Sequence, residues 1–407
     1  MKYLILLNRR FPYKYGEAFL ENEIDEISPY FDKVLIFPSD MTSKDPVTRK
    51  IKSSNVKTFA FEKGSLKARN MSYLATGLFK PKDQNADSLR NKLYSGYFAA
   101  AAEKQAKEIW TALSEYSFDK NDQVILYSYW FFINAKAAVL LKKKLEKITN
   151  VRCVSRAHNF DIYEDKKYLP EREYLLANVD AVFPCSENGT QYIRNKYPRY
   201  AEKINTSYLG TYDKGMLMTE HSKVFRIVSC SRVAPEKRIG LMIQSLSHLR
   251  NSKIQFEWTH FGGGEGLEEL RRSAEEKLDF MKVCLTGAIS NQQVYENYRN
   301  GKFNLFMNTS SAEGLPVSIM ESISFGLPVV ATSAGGTGEI VIDGISGILE
   351  PVEVSPERLA EDILKIAKMS DGEYSALASS ARELWENKFQ ASTNYKKFAE
   401  TLLGLFC

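Results

Sequence analysis

The chain has 407 residues, more than a single hydrophobic core usually serves, so we expect two domains. Hydrophobic residues make up 44% and charged residues 26%, which is the composition of a soluble globular protein. The longest apolar runs, Tyr3 to Leu7 and Ala137 to Leu141, are far too short to span a bilayer. Lys2 followed by so short an apolar run is also a poor signal peptide. A cytoplasmic protein is therefore expected.

The formal net charge of +5 is unevenly distributed along the chain. Residues 1–207 hold 34 Lys and Arg against 25 Asp and Glu, whereas residues 208–407 hold 21 against 25. A basic first half favours an anionic acceptor, or a peripheral contact with the anionic inner face of a membrane. Ordinary scatter of surface charge explains the same difference, and both interpretations stay open. No nucleic-acid partner is expected.

Short apolar runs alternate with helical segments throughout, which is typical of an α/β protein with parallel sheets and helices on both faces. The predicted strands of the first half are Tyr3–Leu7, Val34–Phe37, Val56–Phe61, Val124–Tyr127, Val151–Ser155, Ala181–Pro184 and Ile204–Ser207. Those of the second half are Ile227–Cys230, Ile254–Phe261, Lys282–Leu285, Asn304–Met307 and Val329–Ala331.

The turn-rich segment Tyr208 to Gly215 lies between two strand signals and is the predicted boundary between domains. We expect one Rossmann-like domain over residues 1–207 and a second over residues 208–387. The last helix, about Glu383 to Phe406, has no strand after it. Its final part, about residues 388–407, is expected to pack back on the first domain.

Four of the five cysteines lie in or beside the predicted strands: Cys153, Cys185, Cys230 and Cys284. Buried free thiols in a reducing compartment are the expected outcome. Since the chain has no C-x-x-C pair, a zinc site is not indicated.

The segment Gly64 to Lys82 interleaves basic and apolar residues, among them Lys67, Arg69, Leu78 and Phe79. An element that lies in a membrane interface has this composition. A helix that covers its own domain has it too.

Three turns that follow strands of the first domain carry candidate residues. Gly16 and Glu17 belong to the turn after the first strand, Tyr129 and Trp130 follow the fourth, and His158 and Asp161 follow the fifth. Ligands of open α/β sheets bind at the carboxyl ends of the strands, where these turns lie. The aromatic pair would form a sugar platform or pack in the core.

The segment Ser231 to Arg238 forms a basic turn between the strand Ile227–Cys230 and a helix. Arg232 and Lys237 project from it at the carboxyl edge of the sheet, where two cations would neutralise a diphosphate leaving group. A solvated basic turn is the alternative.

Two glycine-bearing turns follow the next strands. The run His260 to Gly266 imitates a dinucleotide fingerprint but has Leu267 in place of the third glycine. We interpret Gly262 and Gly263 as a wall of a nucleotide pocket, or equally as a tight turn. The main chain at Thr286 and Gly287, after the following strand, would line the nucleotide base, and an ordinary loop is the alternative.

The segment Glu313 to Glu321 has the most informative sequence. A strand and a Ser-rich loop precede Glu313, and Pro316 suits the first turn of a helix over Val317 to Phe325. One carboxylate thus precedes the helix, and Glu321 lies about one turn inside it. The free N–H groups between the two, at the positive end of the helix dipole, are a natural seat for phosphate. Two hydroxyl-binding acids beside a phosphate seat suit a nucleotide sugar.

A later turn, Ala334 to Ile340, has glycines that permit close approach to a ligand, and a plain turn is the alternative. The chain has no Asp-x-Asp pair, no H-E-x-x-H and no Walker loop. Fixed cations are therefore expected to do the work of a metal, and neither a metal nor a cofactor is expected.

These motifs together resemble the retaining glycosyltransferases of family 4, which have the GT-B fold of two Rossmann-like doubly wound domains facing each other across a cleft. The resemblance is specific from Ile227 to Glu350, where four motifs occur in the family's order, and weaker over residues 1–207. The N-terminal turn, Phe11 to Glu17, resembles a subgroup from bacterial surface-polysaccharide pathways.

The resemblance implies a role for each matching residue. Arg232 and Lys237 would bind the donor diphosphate, Glu321 the ribose hydroxyls and Glu313 the donor sugar near the reacting face. His158 would contact that sugar from the first domain. The backbone of a short segment would hold sugar and phosphate: Gly314, Leu315, Pro316, Val317 and Ser318. The acceptor side would include Gly16, Glu17, Trp130 and Asp161.

The expected activity is transfer of a hexosyl group from a nucleotide diphosphate sugar, by default a UDP-sugar, to a glycan or lipid-linked glycan hydroxyl. The resemblance implies retention of the anomeric configuration, with the leaving phosphate helping to deprotonate the acceptor. The alternatives are a nucleotide-sugar 2-epimerase of the same fold and a non-catalytic nucleotide-sugar-binding subunit. This chain departs from the family's pattern in one loop: where the family usually has Gly-Gly-x-Pro-Glu, the sequence is Gly336-Thr337-Gly338-Glu339.

Overall fold

The computed structural model describes residues 1–14, 17–62, 66–165, 167–217 and 223–407. The chain forms two compact units. Unit 1 comprises Met1–Leu209 together with Ala391–Cys407, and unit 2 comprises Gly210–Gln390. The predicted boundaries, after residues 207 and 387, lie slightly before the observed ones, which follow Leu209 and Gln390.

Unit 1 is built from alternating strands and helices. Its strands are β1 (Lys2–Asn8), β2 (Lys33–Pro38), β3 (Val56–Thr58), β4 (Gln123–Ser128), β5 (Asn150–Ala157) and β6 (Ala181–Pro184). Its helices are α1 (Phe19–Ile27), α2 (Leu66–Gly77), α3 (Leu89–Leu113), α4 (Ile133–Leu145), α5 (Arg172–Asn178) and α6 (Glu187–Lys196).

Unit 2 has the same alternation. Its strands are β7 (Val224–Cys230), β8 (Gln255–Phe261), β9 (Lys282–Leu285), β10 (Leu305–Asn308), β11 (Val329–Thr332) and β12 (Gly347–Glu350). Its helices are α7 (Ile239–Ser247), α8 (Leu267–Lys277), α9 (Asn291–Gly301), α10 (Val317–Ser324), α11 (Pro356–Ala367) and α12 (Asp371–Lys388). The last helix of the chain, α13 (Ala391–Gly404), returns to unit 1.

The two sheets have the same topology. In unit 1 the strand order is β3-β2-β1-β4-β5-β6, and in unit 2 it is β12-β11-β10-β7-β8-β9, with all pairs parallel. Each sheet reverses its direction of growth once, between β1 and β4 and between β7 and β10. These switch points are where open α/β sheets bind ligands. The predicted α/β class with two doubly wound units is confirmed.

The central strands are buried on both faces because helices cover both sides of each sheet. In β1, Leu4, Ile5 and Leu6 are all fully buried, and in β10 the same holds for Leu305 and Phe306. Continuous apolar runs of this kind made the strands recognisable in the sequence.

Three strand predictions were wrong in detail. Residues Ile204–Ser207 form no strand, since Ile204 makes only an isolated bridge with Val182. The strand predicted over Val56–Phe61 ends at Thr58. Strand β12 was missed because only two of its four residues, Ile348 and Leu349, are apolar.

The single helix predicted over Glu383–Phe406 is in fact two helices. Phe389, at φ −126°, ends α12, and its carbonyl accepts a hydrogen bond of 2.9 Å from the N–H of Thr211. The break therefore depends on a residue far away in the sequence. Helix α13 packs on α1 and places Phe398 against Tyr127, with ring centroids 5.6 Å apart.

The prediction of buried cysteines was correct for Cys153 and Cys185 but wrong for Cys284, which is exposed. Strand β9 is a short edge strand, so alternate residues face solvent. Cys230 is half-buried. All are free thiols, as expected. In the described ranges, no helix combines the length and the apolar character that crossing a bilayer requires.

Helices α2 and α3 form an antiparallel hairpin, and Gly77 and Gly96 let their backbones touch. A Cβ atom on Gly77 would lie 2.6 Å from the carbonyl carbon of Gly96, so any larger residue would push the helices apart. The outer side of the hairpin is nevertheless apolar. Phe79 is 88% exposed and Met71 61% exposed.

Candidate functional site

The predicted residues of unit 2 meet at its switch point. Strands β7 and β10 are neighbours, with Val228 paired to Phe306, so the turns that follow them emerge side by side. The first turn carries Lys237 and the second carries Glu313. The Nζ atom of Lys237 donates to Oε1 of Glu313 over 2.6 Å, with only 16% and 10% of the two side chains exposed. A cation and a carboxylate are thus held together at the edge where ligands bind.

Arg238 joins the two turns. It adopts a left-handed conformation, φ 48°, and its Nε donates to the carbonyl of Thr309 over 2.6 Å. In return, the Thr309 hydroxyl donates to the carbonyl oxygens of Lys237 and Arg238. The N–H of Ser311 donates to the carbonyl oxygen of Glu236. These bonds fix the backbone on both sides of the Lys237–Glu313 pair. Sequence reasoning quoted Arg238 in the motif without giving it a role.

Helix α10 begins at Val317, four residues after Glu313. Pro316 is its N-cap residue, one position before the first turn in which the sequence placed it. The N–H groups of Gly314, Leu315, Val317 and Ser318 find no acceptor within the described ranges. They lie at the positive end of the helix dipole and are available to an anion.

The end of α10 follows the prediction. Gly326, at φ 80°, donates to Ile323, and Leu327 donates to Ser322, which together form a Schellman motif.

Glu321 lies on the buried side of α10. Its side-chain Oε1 accepts a hydrogen bond of 2.8 Å from the hydroxyl of Tyr295, on α9. Burial raises the pKa of Glu321 to about 7, although Tyr295 and Lys214 favour the ionised form. This carboxylate is therefore ready to change its protonation state when a ligand supplies hydroxyl donors. Neither Tyr295 nor Lys214 could be found from the motif spacing, because they come from other parts of the chain.

Arg232, in contrast, is exposed. Its only ionic partner in the described chain is Glu236, 3.5 Å away, and 78% of its side chain is accessible. A cation so placed is free to reorient toward a ligand, and an exposed pair of this kind contributes little to stability.

The glycine-bearing turns pack tightly against the basic turn. A Cβ atom on Gly262 would lie 1.8 Å from the carbonyl oxygen of Ser231, and one on Gly263 would lie 2.9 Å from the amide nitrogen of Ala288. Gly262 also donates to the carbonyl of Gly287 over 3.0 Å. The Thr286 hydroxyl bonds to backbone carbonyls of its own region. These contacts show that Gly262 and Gly263 allow close packing of the backbone. That they form one wall of a nucleotide-binding pocket stays a prediction.

Gly335 packs in the same manner against Glu313. It has φ 54°, and a Cβ atom there would lie 1.9 Å from the Glu313 carbonyl oxygen. The next residue, Gly336, donates to the carbonyl of Gly314 over 2.9 Å. The loop that departs from the family's pattern thus supports the backbone of the candidate site.

Replacing Gly335 by Ala is expected to lower the free energy of unfolding by about 1–3 kcal/mol, through backbone strain and displacement of Glu313. Hydrogen exchange of unit 2 peptides would measure the loss. Gly338→Ala is the matched control, since a Cβ atom there meets only a Leu349 methyl group at 3.3 Å. Equal protection in the two variants would contradict the expectation.

The predicted residues of unit 1 gather at its own switch point, between β1 and β4. The Glu17 carboxylate accepts hydrogen bonds from the N–H groups of Arg9, Arg10 and Phe11, at 2.7–3.0 Å, and from Nε1 of Trp130 at 2.6 Å. Glu17 therefore holds the turn after β1 against the turn after β4. Gly16 lies outside the described residues.

His158 and Asp161 occupy neighbouring positions with different surroundings. The Asp161 carboxylate accepts from the N–H groups of Phe131, His158 and Asn159, so it organises the backbone of two turns. The His158 ring lies 4.6 Å from Trp130 between centroids, and its Nε2 has no partner among the described residues. Burial lowers the pKa of His158 well below its ordinary value, which keeps the imidazole neutral.

The fold is that of the GT-B glycosyltransferases. The structure is similar to sucrose-phosphate synthase from Thermosynechococcus elongatus, with a TM-score of 0.74, 16% identity, and coverage of 100% of this chain and 99% of that one. It is also similar to the lipopolysaccharide outer core galactosyltransferase WaaB, with a TM-score of 0.69, 16% identity and 99% coverage of both chains. A third similar structure is HepE of Anabaena, solved with UDP and glucose, with a TM-score of 0.67, 18% identity and 98% coverage of both chains.

Residues 219–384 match the family model of glycosyl transferases group 1, and this match lies within unit 2. The amylovoran biosynthesis glycosyltransferase AmsK of Erwinia amylovora is 27% identical over 258 residues, 61% of each chain. The GtfA subunit of the UDP-N-acetylglucosamine–peptide N-acetylglucosaminyltransferase of Streptococcus gordonii is 25% identical over 235 residues, 55% of this chain. These matches span 44% to 61% of the relatives' own lengths.

Proposed function

We propose that the protein transfers a sugar from a nucleotide diphosphate sugar to a hydroxyl group of a glycan or lipid-linked glycan, with retention of configuration and without a metal. The observation that carries the proposal is the Lys237–Glu313 pair, 2.6 Å apart, followed in the chain by N–H groups at the start of α10 that have no acceptor in the described part of the chain. Its position at the switch point of a glycosyl transferases group 1 domain supports the same conclusion.

Each group of the site has chemistry that suits the transfer. Lys237 and Arg232 would neutralise the charge that develops on the diphosphate as it leaves, aided by the N–H groups of α10. Glu313 would bind donor-sugar hydroxyls, and Glu321 would accept hydrogen bonds from the ribose. The Nε2 atom of His158 has no partner among the residues that the structure describes, and His158 keeps its proposed contact with the donor sugar.

The proposed step balances without a co-reactant. The bond between the anomeric carbon and the β-phosphate oxygen breaks, and the electron pair leaves with the nucleoside diphosphate. The acceptor oxygen forms the new bond on the same face of the sugar. Its proton passes to the departing phosphate, so no separate base is required.

UDP is the proposed nucleotide because GtfA is named for a UDP-sugar and HepE was solved with UDP. AmsK is named for a polysaccharide pathway, which favours a surface polysaccharide as the product. The two alternatives, an epimerase and a non-catalytic subunit, are not favoured, because the named relatives are glycosyltransferases.

A thermal-shift panel of UDP, GDP and ADP with their common sugar conjugates tests this function. A ligand at 100 times its Kd stabilises the native state by about 2.7 kcal/mol, so the correct donor should stand out. Transfer is then measured with that donor and a glycan mixture. Absence of a shift from every nucleotide sugar would refute the proposal.

Donor affinity is expected to rise about tenfold between pH 6 and pH 8, because Glu321 must ionise to accept the ribose hydroxyls. Its pKa in the free protein is about 7, above its ordinary value, so protonation stabilises the free fold below that pH and opposes binding there. A nucleotide sugar is the right ligand, since its diphosphate does not titrate in this range. Calorimetry of Glu321→Gln should show weaker donor binding that does not change with pH. If the donor affinity of this variant still rose between pH 6 and pH 8, the pH dependence would belong to another group.

The α2–α3 hairpin is the proposed contact with an anionic membrane surface. Of the eleven exposed large hydrophobic residues in the described chain, seven lie between Met71 and Tyr94. The same stretch carries basic residues, including Lys80 and Lys82. Apolar area and basic charge both favour binding to anionic lipid.

Replacing Leu78 and Phe79 by Ser is expected to weaken binding to vesicles at least tenfold, since each side chain buries apolar area worth about 1.5–3 kcal/mol. Co-sedimentation with vesicles containing 30% phosphatidylglycerol, against pure phosphatidylcholine, measures the change. Ile345→Ser, which alters an exposed residue of unit 2, is the control. Equal sedimentation of all three proteins would refute the membrane contact.

A further inference from the structure

Unit 1 contains a cavity of about 920 Å³ that no part of the donor site uses. It opens at the carboxyl ends of β1, β2 and β4, at the switch point of this sheet, and α2 and α3 form its outer wall. Its volume is in the range of about 300–1,000 Å³ that is typical of ligand pockets. The lining residues come from six segments of unit 1, namely helices α2 and α3 and the segments that follow β1, β2, β4 and β5, so the fold itself builds the cavity.

The lining of this cavity has an excess of positive charge. Four cationic residues, Arg9, Arg10, Lys14 and Arg69, face two carboxylates, Asp40 and Glu108. Arg9 is paired with Asp40 at 2.8 Å, and Lys14 is paired with a carboxylate outside the lining, Asp45, at 2.8 Å. Within the described ranges, Arg10 and Arg69 have no ionic partner.

Arg69 is the more informative of the two. It donates one long hydrogen bond, 3.4 Å from Nη1 to the carbonyl of Ser39, and its buried Nε has no acceptor in the described chain. A buried guanidinium N–H without an acceptor is costly, and an anion in the cavity would satisfy it. The planar fork of Arg matches phosphate oxygens in pairs.

The opposite part of the cavity is aromatic. Six aromatic side chains line it: Tyr73, Tyr94, Tyr97, Trp130, Phe132 and Phe160. Trp130 and Phe160 lie 4.8 Å apart between centroids, and Trp130 is fixed by its hydrogen bond to Glu17. Rigid aromatic faces beside polar groups suit the apolar faces of a sugar ring.

We propose that this cavity binds the phosphate or diphosphate group of a phosphorylated glycan acceptor, with Arg69 and Arg10 on the phosphate and the aromatic wall on the sugar. The inference rests on the proposed function and defines the acceptor class for it. A diphosphate would give an anionic partner to Arg10 and Arg69, the two lining cations that have no ionic partner in the described ranges, and a neutral glycan would not.

The phosphate has two sources, a lipid-linked glycan diphosphate or a soluble glycan phosphate. The cavity wall continues into the exposed apolar side of the hairpin, since Leu74 and Tyr94 both line the cavity and are 51% and 38% exposed. A lipid tail attached to the phosphate would extend along this surface. Comparison of anions with and without a tail distinguishes the two sources.

Calorimetry with the full chain, saturated with UDP so that the phosphate seat of unit 2 is filled, tests the inference. The probes are inorganic pyrophosphate, geranyl diphosphate and geraniol. Arg69→Met is expected to weaken the binding of both anions about tenfold, the loss of one charged hydrogen-bonding group. Lys67→Ala is the matched control, since Lys67 lies two residues away on α2, is exposed and does not line the cavity.

Geranyl diphosphate binding at least five times more tightly than pyrophosphate would identify a lipid-linked acceptor, and equal affinities would identify a soluble one. Geraniol binding as tightly as geranyl diphosphate would overturn the inference. So would unchanged affinity of Arg69→Met for both anions, or no binding of either anion. UDP binding is measured separately, so that failure of the cavity site with intact UDP binding leaves the proposed function standing.

Discussion

Replacing Lys237 by Met is expected to lower the rate of sugar transfer by a factor of about 100 to 1,000, the usual effect of removing one group that stabilises developing charge. Lys237 is held 2.6 Å from Glu313 and is only 16% exposed, so no other side chain takes its place easily. Glu313→Gln should reduce the rate by a similar factor, since it alters the proposed contact with the donor sugar. Both rates are measured as transfer with the donor found in the thermal-shift panel.

Stability and activity should separate in the double variant. Either single change leaves one charge of a largely buried pair without its partner, which destabilises unit 2. The combination Lys237→Met with Glu313→Gln removes both charges and should recover stability without recovering transfer. Arg232→Ala is the control for charge alone: it should weaken donor binding with no change in stability, because its pair with Glu236 is exposed. Normal transfer by both single variants would show that the proposed mechanism is wrong.

The second large effect concerns stability of unit 1. Arg156 and Glu23 form an ion pair of 3.1 Å in which both side chains are fully buried. Arg156 also donates to the Tyr127 hydroxyl at 2.9 Å and to the Ser207 carbonyl at 2.6 Å. Arg156→Met is expected to destabilise unit 1 by about 3–5 kcal/mol, since it leaves the buried Glu23 without its cationic partner, while the hydrogen bond from the Tyr127 hydroxyl remains.

Hydrogen exchange measures this loss unit by unit, which matters because a protein of two units need not unfold in one step. Peptides of unit 1 should lose protection while those of unit 2 keep it. Adding Glu23→Leu should restore much of the protection. Arg199→Ala is the matched control, since Arg199 and Glu173 pair at the surface and 71% of the arginine side chain is exposed. If Arg156→Met and Arg199→Ala had equal effects, the buried pair would not be the source of stability.

Much of the fold was predictable because the central strands of both sheets are buried on two sides and are continuous apolar runs. Eleven of the twelve described strands were located within a few residues. The failures have two different physical causes. β12 has only two apolar residues, so its strand signal is weak. The break after α12 depends on a hydrogen bond from Thr211, which no local window of sequence shows.

The candidate site was predictable where its residues share a local pattern. The turn with Lys237 and the segment from Glu313 to Glu321 each follow a strand, and the topology brings them together. Tyr295 is different, because its hydroxyl reaches Glu321 from another helix. Arg69 was recognised in the sequence only as one of the basic residues of the segment Gly64 to Lys82. Its place in a binding site was not predictable, since it depends on a cavity wall and an unsatisfied buried N–H.

The return of α13 to unit 1 has a consequence for synthesis of the protein. Asn394 donates to the Leu209 carbonyl over 2.9 Å, Phe398 lies 4.5 Å from the Arg156 guanidinium, and the Leu405 carbonyl accepts from Arg152 at 2.7 Å. The ribosome therefore synthesises most of unit 1 before unit 2, but α13, which completes unit 1, is made only after all of unit 2. A premature stop codon after Gln390 would spare every residue of unit 2 and damage the N-terminal unit instead.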